Sequence, residues 1–176
     1  MRRRHQGLVE ETPSPVLDDA SRKRMADAAV ALIRSIKHAD AGTVEFICEP
    51  AGRQFRFIKT NTRMQAERPV TAMVTGCDLV REQFRVAADE PPSSRSTFAN
   101  GRSSIEFRED AERNFEPSPG VIKRWRSPSR HHIRIVSGPD RPSAVQAAKS
   151  ALARFRVGAI ATTVPFHAQP VARDAH

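Results

Sequence analysis

Two β-prone stretches joined by a proline–glycine turn constrain this chain more than any other feature. Residues 43–48 (TVEFIC) are β-branched and aromatic, Pro50, Ala51 and Gly52 supply a bend, and residues 54–59 (QFRFIK) alternate apolar with polar side chains. Strand-forming runs this close together, separated by turn residues, predict a β-hairpin. Successive side chains on a strand point to opposite faces. Lys59 and Asn61 can therefore share a face, and Glu45 can join them from the partner strand.

The flanks read as mixed α and β. Residues 1–15 are charged and end in prolines, which predicts an extended segment entering a helix. Asp18 is a plausible N-cap, and Met25, Ala29, Leu32, Ile33 and Ile36 follow at helical spacing, with an end near residues 39–42. Residues 60–69 form a polar loop. Two short helical stretches follow, 71–75 and 78–88; in the second Asp78 caps, and Leu79, Val80, Phe84 and Ala87 make the apolar stripe. Residues 90–102 (EPPSSRSTFANGR) are rich in Pro, Ser and Gly and mark a domain boundary. Beyond them, 105–108, 121–126 and 133–136 read as strands. Residues 143–156 read as a helix whose apolar face carries Val145, Ala148, Leu152 and Phe155. No internal repeat is visible. The pattern is that of an α+β chain.

Composition limits the function classes. With 176 residues, 39% hydrophobic and 28% charged, the chain can form one compact domain or two small ones. It has no bilayer-length apolar run and no signal-type N-terminus, so the expectation is a cytoplasmic protein that does not enter a membrane. Cys48 and Cys77 match no metal spacing and no disulfide framework. The net charge is +9, and only five of the 29 basic residues are Lys. A basic excess invites polyanions. The arginines are scattered, however, apart from Arg2–Arg4 and the stretch 124–134; they follow no single helical face, and Trp125 within that stretch is isolated rather than one of the repeated aromatics a stacking surface requires. Nucleic acid is not the expected partner.

By residue type, chemistry concentrates at Glu45, Asn61, Arg63 and Glu67. A carboxylate and an amide oxygen on adjacent strands can ligate Mg²⁺, which prefers hard oxygen. An arginine can hold a planar oxyanion through two parallel hydrogen bonds, and a nearby glutamate can serve as general base. Charged residues on a hairpin and its loop are also, more often than not, simply solvated.

Four blocks resemble the biotin carboxylase family in order: RRHQGLVEETPSP (3–15); GTVEF with FIKTNTRMQAERPVTAMVTGCDLVREQ (42–83); IEFREDAERNFEPSPGVIKR (105–124); and ALARFRVGAIATTVPFH (151–167). The resemblance implies the C-terminal part of an ATP-grasp fold over residues 1–100. It implies a shortened biotin carboxylase C-terminal subdomain over 101–176. The family reaction is carboxylation of biotin, held on a carrier domain, with bicarbonate and MgATP. By resemblance His5 lies at the ATP site, and Glu45 and Asn61 are Mg²⁺ ligands. Arg63 is the catalytic arginine that holds bicarbonate and stabilises the biotin intermediate. Gln65 and Ala66 line the bicarbonate pocket, Glu67 is the general base, and Arg108 contacts bicarbonate and biotin. The partners implied are a biotin carboxyl carrier domain, a carboxyltransferase subunit, and a second biotin carboxylase copy, identical or intact, in a dimer.

Several positions depart from the family. Lys59 stands where a Mg²⁺-binding glutamate is usual, Gly7 where a lysine is usual, and Arg2 where a glutamine is usual. Arg68 replaces a histidine, Ala72 a glutamate and Ala66 a valine. The glycine-rich lid and phosphate-gripping lysines have no counterpart here, residues after Gly138 skip a strand-rich stretch, and a shorter deletion follows Glu112. The expectation is a biotin carboxylase-like chain that does not catalyse alone. The alternative is a non-catalytic protein that binds an intact carboxylase subunit.

Overall fold

The hairpin forms where the sequence places it. In the computed structural model, which describes residues 2–3, 6–49, 54–93, 101–108, 112–113, 116–117, 119–126 and 135–173, strands Thr43–Cys48 and Phe55–Asn61 pair antiparallel. In chain order the strands are β1 Arg2–Arg3, β2 Gln6–Gly7, β3 Val9–Thr12, β4 Thr43–Cys48, β5 Phe55–Asn61, β6 Ser103–Phe107, β7 Glu112–Arg113, β8 Glu116–Pro117, β9 Arg124–Arg126, β10 Ile135–Gly138 and β11 Arg156–Gly158. The helices are α1 Asp19–Ser35, α2 Arg68–Thr75, α3 Leu79–Ala87, α4 Arg141–Arg154 and α5 Val164–Arg173. His5, the 50–52 turn, Ile133 and Arg134 lie outside the described residues.

Two compact units emerge, and they interleave along the chain. One takes Pro13–Arg68 and Gly76–Thr97; the other takes Met1–Thr12, Pro69–Thr75 and Phe98–His176. The first holds α1, the β4–β5 hairpin and α3. Asp18 caps α1 by accepting from the Ser21 amide at 2.7 Å. Met25, Ala29, Leu32 and Ile33 are half-buried as their spacing predicts, but the helix stops at Ser35, earlier than expected, and leaves Ile36 exposed. Lys37 follows with φ of 54°, the left-handed turn that ends many helices.

The β4–β5 register shifts between Glu45 and Phe46: Glu45 faces Lys59, while Phe46 faces Phe57, so Ile58 has no opposite partner. A bulge of this kind switches the phase of one strand. Strict alternation would put Phe57, Lys59 and Asn61 on one face. With the bulge, Phe46 makes edge-to-face ring contacts with Phe55 at 5.3 Å and with Phe57 at 6.3 Å, while Lys59 and Asn61 face Glu45.

The second unit contains the apolar core. Strand β6 is central in a three-stranded antiparallel sheet, between β10 and β3. Helix α4 lies on this sheet. Ile105, Phe107, Ala144, Val145, Ala148 and Leu152 form the core, with Val9 and Val136 packed against it. The apolar face predicted for α4 is the buried one, and Phe155 at its C-cap is also buried, edge-on to Trp125 at 5.1 Å. The extended N-terminal segment thus contributes a sheet strand, β3, which its charged sequence did not announce. Strand β11 and helix α5 were not anticipated either.

The junction after Gly138 is closed by a short turn. Asp140 caps α4 through the Ser143 amide at 2.8 Å, with Pro142 in the first turn. A Cβ on Gly138 would lie 2.7 Å from the Ala144 nitrogen and 2.7 Å from the Ser143 Cβ. Only glycine lets β10 run under the start of this helix. Among the described residues no helix is long and apolar enough to cross a membrane.

Candidate functional site

Glu45 is the centre of the hairpin cluster. Its Oε1 accepts from Asn61 Nδ2 at 2.8 Å and from Gln65 Nε2 at 3.1 Å, and Lys59 Nζ lies 3.4 Å away. The Glu45 side chain is 15% exposed and that of Lys59 55%. Burial acts to raise the Glu45 pKa, but hydrogen bonds from Gln65, Lys59 and Asn61, with the Lys59 charge, together hold the carboxyl below its ordinary value.

The sequence places Glu45, Lys59 and Asn61 on one face, and the structure brings these three together. Strand β5 runs on to Asn61 rather than stopping at residue 59. Gln65 comes from the turn beyond and reaches back to the same oxygen, a contact that strand alternation cannot predict. The Gln65 Oε1 is buried without a hydrogen-bond partner. That turn also starts α2, since the Arg68 amide donates to the Gln65 carbonyl at 3.2 Å. Arg63 and Ala66 are exposed in it and Glu67 is half-buried. Arg63 Nη1 donates to the Met64 carbonyl at 3.1 Å, a local contact that leaves most of the guanidinium fork to solvent. Among the described residues no group of three His, Cys, Asp or Glu side chains is placed to hold a metal ion.

Arg108 belongs to the other compact unit and is held differently. Its amide donates to the Leu8 carbonyl at 2.9 Å. Its own carbonyl accepts from Thr163 Oγ1 at 3.2 Å and lies 2.8 Å from His167 Nε2. A carbonyl only accepts, so Nε2 carries the proton in this contact. His167 and Leu8 are fully buried and Thr163 is 4% exposed. Thr163 and His167 sit four residues apart across the start of α5, where they face the same way. They lie within the TTVPFH stretch, which the sequence reading matched only as a block and gave no role.

The family model described as carbamoyl-phosphate synthase L chain, ATP binding domain, matches residues 1–94, more than half of the chain. The chain belongs to this family. Its relatives within the family are biotin carboxylases. Biotin carboxylase 1 of Bacillus subtilis is 38% identical over 193 residues, taking in 95% of this chain and 43% of its own length. The propionyl-CoA carboxylase alpha chain of Ruegeria pomeroyi is 46% identical over 133 residues, 73% of this chain and 19% of that one. The crystal structure of a biotin carboxylase from Campylobacter jejuni in complex with β,γ-ATP superposes with a TM-score of 0.90 at 31% identity, over 98% of this chain and 44% of its own. The biotin carboxylase domain of the Hydrogenobacter thermophilus 2-oxoglutarate carboxylase, a dimer solved with MgADP and bicarbonate, superposes with a TM-score of 0.89 at 32% identity, over 100% of this chain and 45% of that one.

The likeness therefore continues past residue 94 and through the core unit. The chain spans less than half the length of the curated relatives it matches. The Bacillus alignment of 193 positions exceeds the 176 residues present, so the relative carries internal residues that this chain lacks.

Proposed function

We propose that this chain is the bicarbonate- and biotin-handling part of a biotin-dependent carboxylase, a ligase-family component that does not complete a MgATP site from its own residues. The observation that carries this reading is the hairpin cluster. Asn61 and Gln65 converge on Glu45, and the turn between them presents Arg63, with Glu67 four residues further on. A guanidinium with its fork largely in solvent is free to take a planar oxyanion through two parallel bonds. A carboxylate close by in the chain is suited to remove a proton from bicarbonate. Gln65 and Ala66 would border that anion, and Arg108 is assigned a bicarbonate and biotin contact on the family resemblance alone. His5 would face ATP.

Lys59 argues against self-sufficient catalysis. An ammonium 3.4 Å from the Glu45 carboxylate stands where a metal would need an acceptor. The residues present do not fit Mg²⁺. In this reading the carboxyl acceptor is biotin on a carrier domain, and a carboxyltransferase subunit supplies acyl-group specificity.

The test is bicarbonate binding by the purified chain, followed as line broadening of ¹³C-bicarbonate. Binding is expected in the wild type and lost in Arg63→Ala; equal broadening in both would sink the reading. Turnover of ATP by the chain with Mg²⁺, bicarbonate and free biotin would sink the claim that it does not work alone.

A second reading, a non-catalytic partner of an intact biotin carboxylase, is favoured by one observation. The apolar stripe predicted on α3 is not buried within the chain, and Phe84 is 74% exposed. A size-exclusion shift with an intact biotin carboxylase, lost in Phe84→Ser, would support it.

A further inference from the structure

The hairpin has nitrogen where a cation would need oxygen. Magnesium takes oxygen ligands at about 2.0–2.1 Å in a near-octahedral set. The Glu45 Oε1 is surrounded instead by Asn61 Nδ2 at 2.8 Å, Gln65 Nε2 at 3.1 Å and Lys59 Nζ at 3.4 Å. All three are donors. For Glu45 and Asn61 to share a metal, the Asn61 amide would have to turn its oxygen inward and give up its bond to Glu45. The Lys59 ammonium would also have to leave. Each movement would give up a contact that Glu45 now makes. Register puts Lys59 directly across from Glu45 and so on the same face, and the bulge at Ile58 turns Phe57 to the other face.

We propose that the Lys59 ammonium is the built-in cation of this site. It does the organising work of a bound divalent ion: it neutralises Glu45, and it keeps the carboxylate where Asn61 and Gln65 can both reach it. The Asn61 and Gln65 amides turn their nitrogens to the same carboxylate oxygen that the ammonium approaches. The hairpin is consequently organised without Mg²⁺ and is indifferent to it. This inference concerns the same hairpin as the proposed function and rests on its geometry alone. Bicarbonate binding at Arg63 and metal indifference at Lys59 can fail separately.

The experiment adds Mn²⁺, a paramagnetic stand-in for Mg²⁺, to the ¹⁵N-labelled full chain. In the wild type the amides of residues 43–46 and 59–61 should show no selective broadening. Lys59→Glu should gain a Mn²⁺ site at least about tenfold tighter than any in the wild type. Adding Glu45→Gln should abolish it. Selective broadening of those amides in the wild type overturns the inference, and so does a folded Lys59→Glu that gains no site. Should Lys59→Glu fail to fold, the wild type still decides. Its Tm in MgCl₂ should equal that in NaCl of the same ionic strength, and a Mg²⁺-specific rise that disappears in Glu45→Gln overturns the proposal.

Discussion

Glu45 is held through its side chain, on a two-stranded hairpin in which the ring residue Phe57 is about half exposed. Arg108 is held through its backbone, clamped between Leu8 on one side and Thr163 and His167 on the other, at the end of a strand packed into the core. The two regions show two ways to place a polar group. Side-chain hydrogen bonds and an ion pair set an exact local geometry but add little stability when one partner is half in water. Backbone anchoring in an apolar setting fixes the direction in which a side chain leaves the strand, and it draws on the packing of the whole unit.

The largest expected effect tests the packing side of that contrast. Phe107→Ala, 3% exposed in the core, should cost about 3–5 kcal/mol in a urea melt. Phe57→Ala, 53% exposed, should cost less than about 1 kcal/mol. Equal losses would break the comparison. Next, Gly138→Ala forces a Cβ against the start of α4 and should cost about 1–3 kcal/mol; an unchanged melt would show that β10 and α4 can separate freely.

His167→Leu keeps the bulk but removes the bond to the Arg108 carbonyl, for about 1–3 kcal/mol. Amide exchange at Arg108 and at the neighbouring positions of β6 should speed up more than exchange in the hairpin.

A smaller effect is expected at Glu45. Against the raising effect of burial, its folded pKa is depressed by hydrogen bonds from Gln65, Lys59 and Asn61 and by the Lys59 charge, so the stabilisation from these contacts is present above the ordinary carboxylate pKa and is lost as pH falls through the folded value. Glu45→Gln should melt lower than the wild type at neutral pH, by no more than about 1 kcal/mol given the exposure of Lys59. The gap should close in strong acid. A gap that widens on acidification would reverse the assigned sign. The smallest effect is Phe84→Ser on α3, within about 0.5 kcal/mol in the isolated chain.

The hairpin was legible because strand alternation is a local property, and so were the capped starts of α1 and α3 at Asp18 and Asp78. The α4 face was legible because helical period and burial coincide there. On α3 the same period was present without burial, since an apolar stripe states what a helix could cover and not whether anything covers it. Strand β3 was missed because Val9–Thr12 reads as a charged segment, and its place in a sheet depends on pairing with β6, far away in sequence. Thr163 and His167 were missed as anchors for the same reason: their partner is the carbonyl of residue 108.

The sequence by itself determined the family and the order of residue types along the hairpin and its turn, with a lysine at position 59. Those are properties of residue type and order. Tertiary structure decided what surrounds Lys59: a bulge with no sequence signature turns Phe57 to the opposite face and leaves the ammonium 3.4 Å from Glu45. It also decided that Gln65 completes the cluster and that Arg108 is fixed by a buried histidine. These depend on where distant backbone segments meet, and that is set by strand register and core packing.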